Sequence, residues 1–169
     1  SDATLSIAAR FPVRIVHIAP QEFSFGRSLN RGLSTAQGEI AVLASAHVYP
    51  VYEDWLEQLL RPFDDPQVAL TYGRQQGNEA TRFSERQVLA KWFPERSDPR
   101  QAHPFCNNAN AAVRLALWRL HPYDEELPGV PEFRGSLRLI QIKGCGPIRV
   151  PGQRLIFILF RFTRFEGPR

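Results

Sequence analysis

The stretch Ile40-Ala41-Val42-Leu43-Ala44-Ser45-Ala46-His47 decides how this chain reads. Five apolar residues run without a break and then give way to a hydroxyl and an imidazole. A continuous apolar run of that length suits a strand buried on both faces of a sheet, whereas a half-exposed strand would alternate. Upstream, Ser24 can accept from the free amides of a helix start. A helix over 24–37 follows, with Leu29, Leu33 and Ala36 as its buried stripe and Gly38 just past its end. Before it, Ser1 or Asp2 can cap a short helix over 3–10 stopped by Phe11-Pro12, and the alternating run 13–18 reads as a strand. Downstream come a helix over 52–60 with Trp55, Leu56, Leu59 and Leu60 on one face, and a strand over 68–72 ended by Gly73. A helix over 83–93, a loop over 94–104, a short strand or turn at 111–113 and a helix over 115–120 complete the pattern. Strands alternating with helices predict an α/β fold with a mostly parallel sheet flanked by helices.

Past Val130 the pattern dissolves. Two β-prone runs, 137–142 and 155–165, are separated by Gly- and Pro-containing turns, and they suit an edge strand or a hairpin in an otherwise irregular tail. The charge changes at the same place. Residues 1–130 hold 13 Lys and Arg against 15 Asp and Glu, while 131–169 hold 8 against 2. A basic tail is one signature of a nucleic-acid or anionic-membrane patch. Here the arginines interleave with core-type apolar residues and no recognised motif accompanies them, so no nucleic-acid partner is expected. The whole chain, 169 residues with 43% apolar and 22% charged, has the composition of an ordinary globular domain. No apolar run approaches the roughly 18 residues of a membrane span. Two cysteines, Cys106 and Cys145, make neither a disulfide framework nor a metal motif, and with no signal peptide in view a cytoplasmic location is expected.

The polar groups of interest fall where strands should end, which is where α/β sheets bind ligands. Ser45 and His47 end the first buried strand; an imidazole there can ligate a cation or, protonated, an anion. Surface bonding of His47 to a carbonyl is the commoner outcome for such a residue. Tyr72-Gly73-Arg74-Gln75 offers a guanidinium for phosphate and an amide for a hydroxyl, against the alternative of a solvated loop. Asn107-Asn108-Ala109-Asn110 packs three amides into four residues; they serve either sugar hydroxyls or a tight turn. Asp124-Glu125-Glu126 supplies carboxylates, more often a loop than a base. Trp55 and Trp92 read as core, and Glu53-Asp54 as a helix start.

Taken in order, the segments Ser1-Asp2-Ala3-Thr4, Phe23 to Gly32, Ala36 to Ile40, Leu43 to His47, Trp55-Leu56, Tyr72 to Gln75 and Phe105 to Asn110 resemble a bacterial family 2 glycosyltransferase of the rhamnosyltransferase-like branch. The resemblance covers about 1–130. It implies a partial GT-A (Rossmann-like) fold, a nucleotide-sugar donor, a glycan or lipid-linked acceptor, inversion at the anomeric carbon and a divalent metal, Mn²⁺ or Mg²⁺. It places Asp2, Arg27, Asn30, Ser45, Arg74 and Gln75 around the donor, and Asn108 and Asn110 toward the sugar and acceptor. Ser45 and His47 stand in the slots where most members carry two metal-holding Asp residues, which makes His47 the candidate metal ligand. With a lipid-linked acceptor, peripheral association with the inner face of a membrane is expected.

Two departures from the family pattern follow. The family opens on an apolar strand and an acidic loop, and this chain starts inside that loop, so it reads as truncated at the front. An acidic pair that includes the catalytic base should follow Val130; the slot reads Pro131-Glu132, which leaves Glu132 as the sole candidate base. Two units are therefore expected, a partial nucleotide-sugar-binding domain over 1–130 and a basic segment over 131–169 introduced by a changed reading frame or a junction. A catalytically inactive remnant that still binds the donor is the rival to an active enzyme.

Overall fold

The computed structural model describes residues 3–45, 49–96 and 107–126, together with the backbone of 138–142 and 156–160. Asp2, His47 and Glu132 lie outside the described residues. The elements are α1 (Thr4–Ala8), α2 (Phe25–Ser34), β1 (Ile40–Ser45), α3 (Trp55–Leu60), β2 (Val68–Gly73), α4 (Phe83–Trp92), β3 (Asn110–Arg114), α5 (Leu115–Leu120), β4 (Arg138–Ile142) and β5 (Ile156–Phe160). The helix start at Ser24 behaves as its residue type dictates, its hydroxyl accepting from the Arg27 amide at 3.1 Å.

The sheet runs β4-β2-β3-β1-β5. β3 lies between β1 and β2 and is antiparallel to both, with Leu43 opposite Ala111 and Leu70 opposite Val113. β1 and β2 therefore point the same way but never touch, which corrects the expectation of a mostly parallel core. The cause lies in the connection: the chain leaves β2 at Gly73 and re-enters at Asn110 on the same edge of the sheet, so β3 has to run back. α4 falls in that connection but buries no residue, so it does not act as the packed crossover helix that a parallel pairing needs. At the two outer edges, β5 pairs parallel with β1 and β4 parallel with β2. The two tail strands sit on opposite edges and do not form the expected hairpin.

Alternation along the strands sends side chains into two cores. Ala41, Leu43, Tyr72, Ala111 and Val113 pack under α2 and α5 with Leu29, Leu33, Trp118 and Tyr123. Val42, Val68 and Ala112 face the other way, against Trp55, Leu56, Leu59 and Phe63. β2 is buried along its whole length. The Thr71 hydroxyl donates to the Leu59 carbonyl at 2.8 Å. Arg114 closes the far edge: its guanidinium donates to the Val68, Phe63 and Asp65 carbonyls and to the Glu39 carboxylate.

Two expectations fail here. Residues 13–18 form no strand; Val13, Ile15 and Val16 are exposed, and no described strand runs beside them to complete a ladder. Trp92 is not core but half exposed, because α4 turns only Leu89 toward the main cluster.

Candidate functional site

Because β3 runs back, its first residues meet the last residues of β1 and β2. The Ser45 amide donates to the Ala109 carbonyl at 2.9 Å, and Asn110 stands opposite Ala44. The topology thus gathers Ser45, Arg74, Gln75, Asn108 and Asn110 at one edge of the sheet, as strand-end placement predicts.

Within that edge the amides are occupied by protein. Asn107 Oδ1 accepts from the Ala109 amide at 2.8 Å, a local turn, and from Gln75 Nε2 at 2.7 Å. The turn reading of the Asn cluster therefore holds for Asn107, and Gln75 braces it. Asn110 is buried and its Oδ1 accepts from Trp55 Nε1 at 2.7 Å; Asn108 Oδ1 accepts from the Tyr123 hydroxyl at 3.0 Å. Trp55 is core, as expected, but with its indole N–H tied across the sheet. Gly73 is needed for space: a Cβ there would run into the Asn110 amide, 2.9 Å from its Cγ.

Arg74 differs from these. Its Nε is buried and has no hydrogen-bond partner among the described residues. One terminal nitrogen lies 3.9 Å from the Glu95 carboxylate, which is 82% exposed.

Arg27 and Asn30 lie together on α2 and grip the segment after α5. Asn30 Nδ2 donates to the Tyr123 carbonyl at 2.8 Å and to Glu125 Oε1 at 3.0 Å. Its Oδ1 accepts from Trp118 Nε1 and from the Tyr123 amide, both at 3.0 Å. Arg27 Nε meets Glu125 Oε2 at 3.0 Å, and its Nη2 lies 3.6 Å from Glu126. Gly26 seats directly under the Asp124 carbonyl. Tyr123 is the residue that sequence reasoning missed. Its backbone is held by Asn30 and its hydroxyl by Asn108, so it joins the α2 grip to the strand edge. The available signal was Asn30 beside the buried stripe of α2, since a polar group there demands partners.

The acidic triplet is used up in this grip. The Asn30 amide and then Arg27 hold the Glu125 carboxyl below its ordinary range, and the Asp124 carboxylate accepts from the Glu126 amide at 2.9 Å. A depressed folded-state pKa contributes stability that is present above the unfolded glutamate value, about 4.3, and is lost as pH falls through the lower folded value. Acid titration of unfolding is expected to show a drop in stability over that window. The drop should be smaller in Glu125→Gln; equal pH profiles would show that Glu125 does not matter.

A divalent cation needs converging oxygen or imidazole ligands. Among the described residues no group of three His, Cys, Asp or Glu side chains comes together, and Ser45 offers only a neutral hydroxyl. The described side chains do not fit such an ion.

A layered α/β domain with polar side chains collected at the carboxyl ends of same-direction strands has the arrangement in which such sheets bind ligands. The sequence model described as "Glycosyl transferase family 2" matches residues 1–123, and the chain belongs to that family. Searches of curated proteins and of solved structures give no match. Membership brings the GT-A α/β fold, glycosyl transfer as the family activity, and a nucleotide-sugar donor with an acceptor.

Proposed function

We propose that this chain is a glycosyltransferase of the rhamnosyltransferase-like branch, transferring a sugar from a nucleoside-diphosphate donor to a hydroxyl of a surface polysaccharide or lipid-linked glycan. The observation that carries this reading is the convergence of Ser45, Arg74 and the 107–110 turn at one strand edge, in a chain matched by the family along 1–123. Ser45 and Arg74 face the donor. Gln75, Asn108 and Asn110 shape the pocket by fixing the turn that borders it. Arg27 and Asn30 act by holding the 123–126 segment, which leads into the region of the candidate base.

Transfer proceeds with inversion in one displacement. The acceptor oxygen bonds to the anomeric carbon, the bond to the nucleoside diphosphate breaks, and the hydroxyl proton passes to a base. Glu125 is unsuited to that role, since its carboxyl is held by Asn30 and Arg27 in the form that binds protons least. Glu132 is the assigned base. Work on a lipid-linked acceptor belongs at the cytoplasmic face of a membrane, and no described helix is long and apolar enough to cross one.

Calorimetry with UDP- and dTDP-sugars beside a transfer assay tests the reading. Glu132→Gln is expected to leave donor binding intact and to lower turnover by about 10²–10⁴-fold, the usual contribution of a general base. Donor binding without turnover in the parent chain would instead favour a binding module, and absence of both would end the proposal.

A further inference from the structure

A nucleoside-diphosphate leaving group carries at least two negative charges that the site has to balance as the glycosidic bond breaks. The slots that hold metal-binding carboxylates elsewhere in the family contain Ser45 and His47, neither of which is a carboxylate. Across β3, the end of β2, which runs in the same direction as β1, leads straight into Arg74.

Among the described residues, Arg74 is poorly compensated. Burying a charged N–H with no acceptor is costly, and such orphans persist where a ligand or ordered water completes them. The long contact to Glu95 at 3.9 Å, with that carboxylate 82% exposed, is a pairing of little strength. The residues on both sides of Arg74 are nevertheless fixed, Gly73 by contact with Asn110 and Gln75 by its bond to Asn107. A pinned backbone carrying an uncompensated guanidinium is what planar, two-point recognition of phosphate requires.

We infer that Arg74 supplies the positive charge for the donor diphosphate, so that this chain binds nucleoside diphosphates without a divalent metal. The inference rests on the donor-site reading above and assigns that site its counter-charge. Glu95 is a placeholder that the diphosphate displaces.

The test is calorimetric titration of the full chain with UDP and dTDP, once with EDTA and once with Mn²⁺. The Arg74→Gln, Arg74→Lys and Glu95→Gln variants are titrated in the same way. The expected results are an affinity that chelation leaves unchanged and a loss of about tenfold or more in Arg74→Gln, as removal of a charge-assisted pair predicts. Arg74→Lys should be intermediate and Glu95→Gln equal or tighter. Uridine and thymidine, which lack the diphosphate, should bind Arg74→Gln and the parent alike. Binding that EDTA abolishes, or full affinity in Arg74→Gln, would overturn the inference and leave the glycosyltransferase reading standing. No binding of either nucleotide under either condition would overturn both. Should Arg74→Gln not fold, the EDTA comparison and Arg74→Lys decide alone.

Discussion

Asn30→Ala is expected to destabilise the fold by about 3 kcal/mol, since two buried donors and a carbonyl lose their partner together. The size follows from what one side chain does. Trp118 Nε1 and the Tyr123 amide both donate to its oxygen, and its nitrogen holds the Tyr123 carbonyl and Glu125. Trp118 and Tyr123 are themselves buried, so water cannot readily take over. Asn30→Asp separates the two halves of the effect, because it keeps the acceptor and loses the donors while placing a carboxylate beside Glu125. It should fall between alanine and the parent at high pH. Denaturant unfolding checks both, and a loss under about 1 kcal/mol for the alanine variant would mean that the segment holds itself.

Gly73→Ala should cost about 2–3 kcal/mol and weaken donor binding as well, because overpacking and a broken buried hydrogen bond combine. The glycine matters for room rather than for backbone conformation. The added methyl meets Asn110, which is 8% exposed and cannot swing aside without breaking its bond from the Trp55 indole. The prediction has an internal control. In an Asn110→Ala background the same methyl has space, so its cost should fall by about 1 kcal/mol or more, a coupling a double-mutant cycle reads directly. Additive losses would show that the clash is relieved elsewhere.

Much of this was legible in the residues. The buried strand at 40–44 and the strand at 68–72 followed from the sequence, as did the Ser24 start and the Leu29 and Leu33 stripe, because each depends on local periodicity or a local cap. The direction of β3 was not legible, since Ala111-Ala112-Val113 is equally apolar run either way and only the long connection from Gly73 fixes which edge it enters. The run at 13–18 misled because alternation signals a fit to a pleated surface and not the presence of a neighbour. At the site, strand-end placement pointed to the right edge of the sheet. It could not tell an amide that meets ligand from one that braces the scaffold. Asn107, Asn108, Asn110 and Asn30 all proved to be held by partners 2 to 95 positions away, which spacing cannot reveal.

The position of β3 also governs the order in which the molecule can assemble. β1 and β2 are translated first, yet neither pairs with the other, and the strand that joins them arrives last of the three. Ile40 waits for Arg114, 74 positions later. A nascent chain short of residue 110 therefore carries two apolar strands with unsatisfied inner edges and no local route to closing them. Chain closure over such separations is slow, and the interval is when edge-to-edge misassembly competes. Once inserted, β3 is the central strand of the five, and its amides should be the last in the sheet to exchange with solvent. The strand edge that collects the ligand-facing residues is thus created only when β3 inserts, so a chain in which β3 is still unpaired has no site to offer.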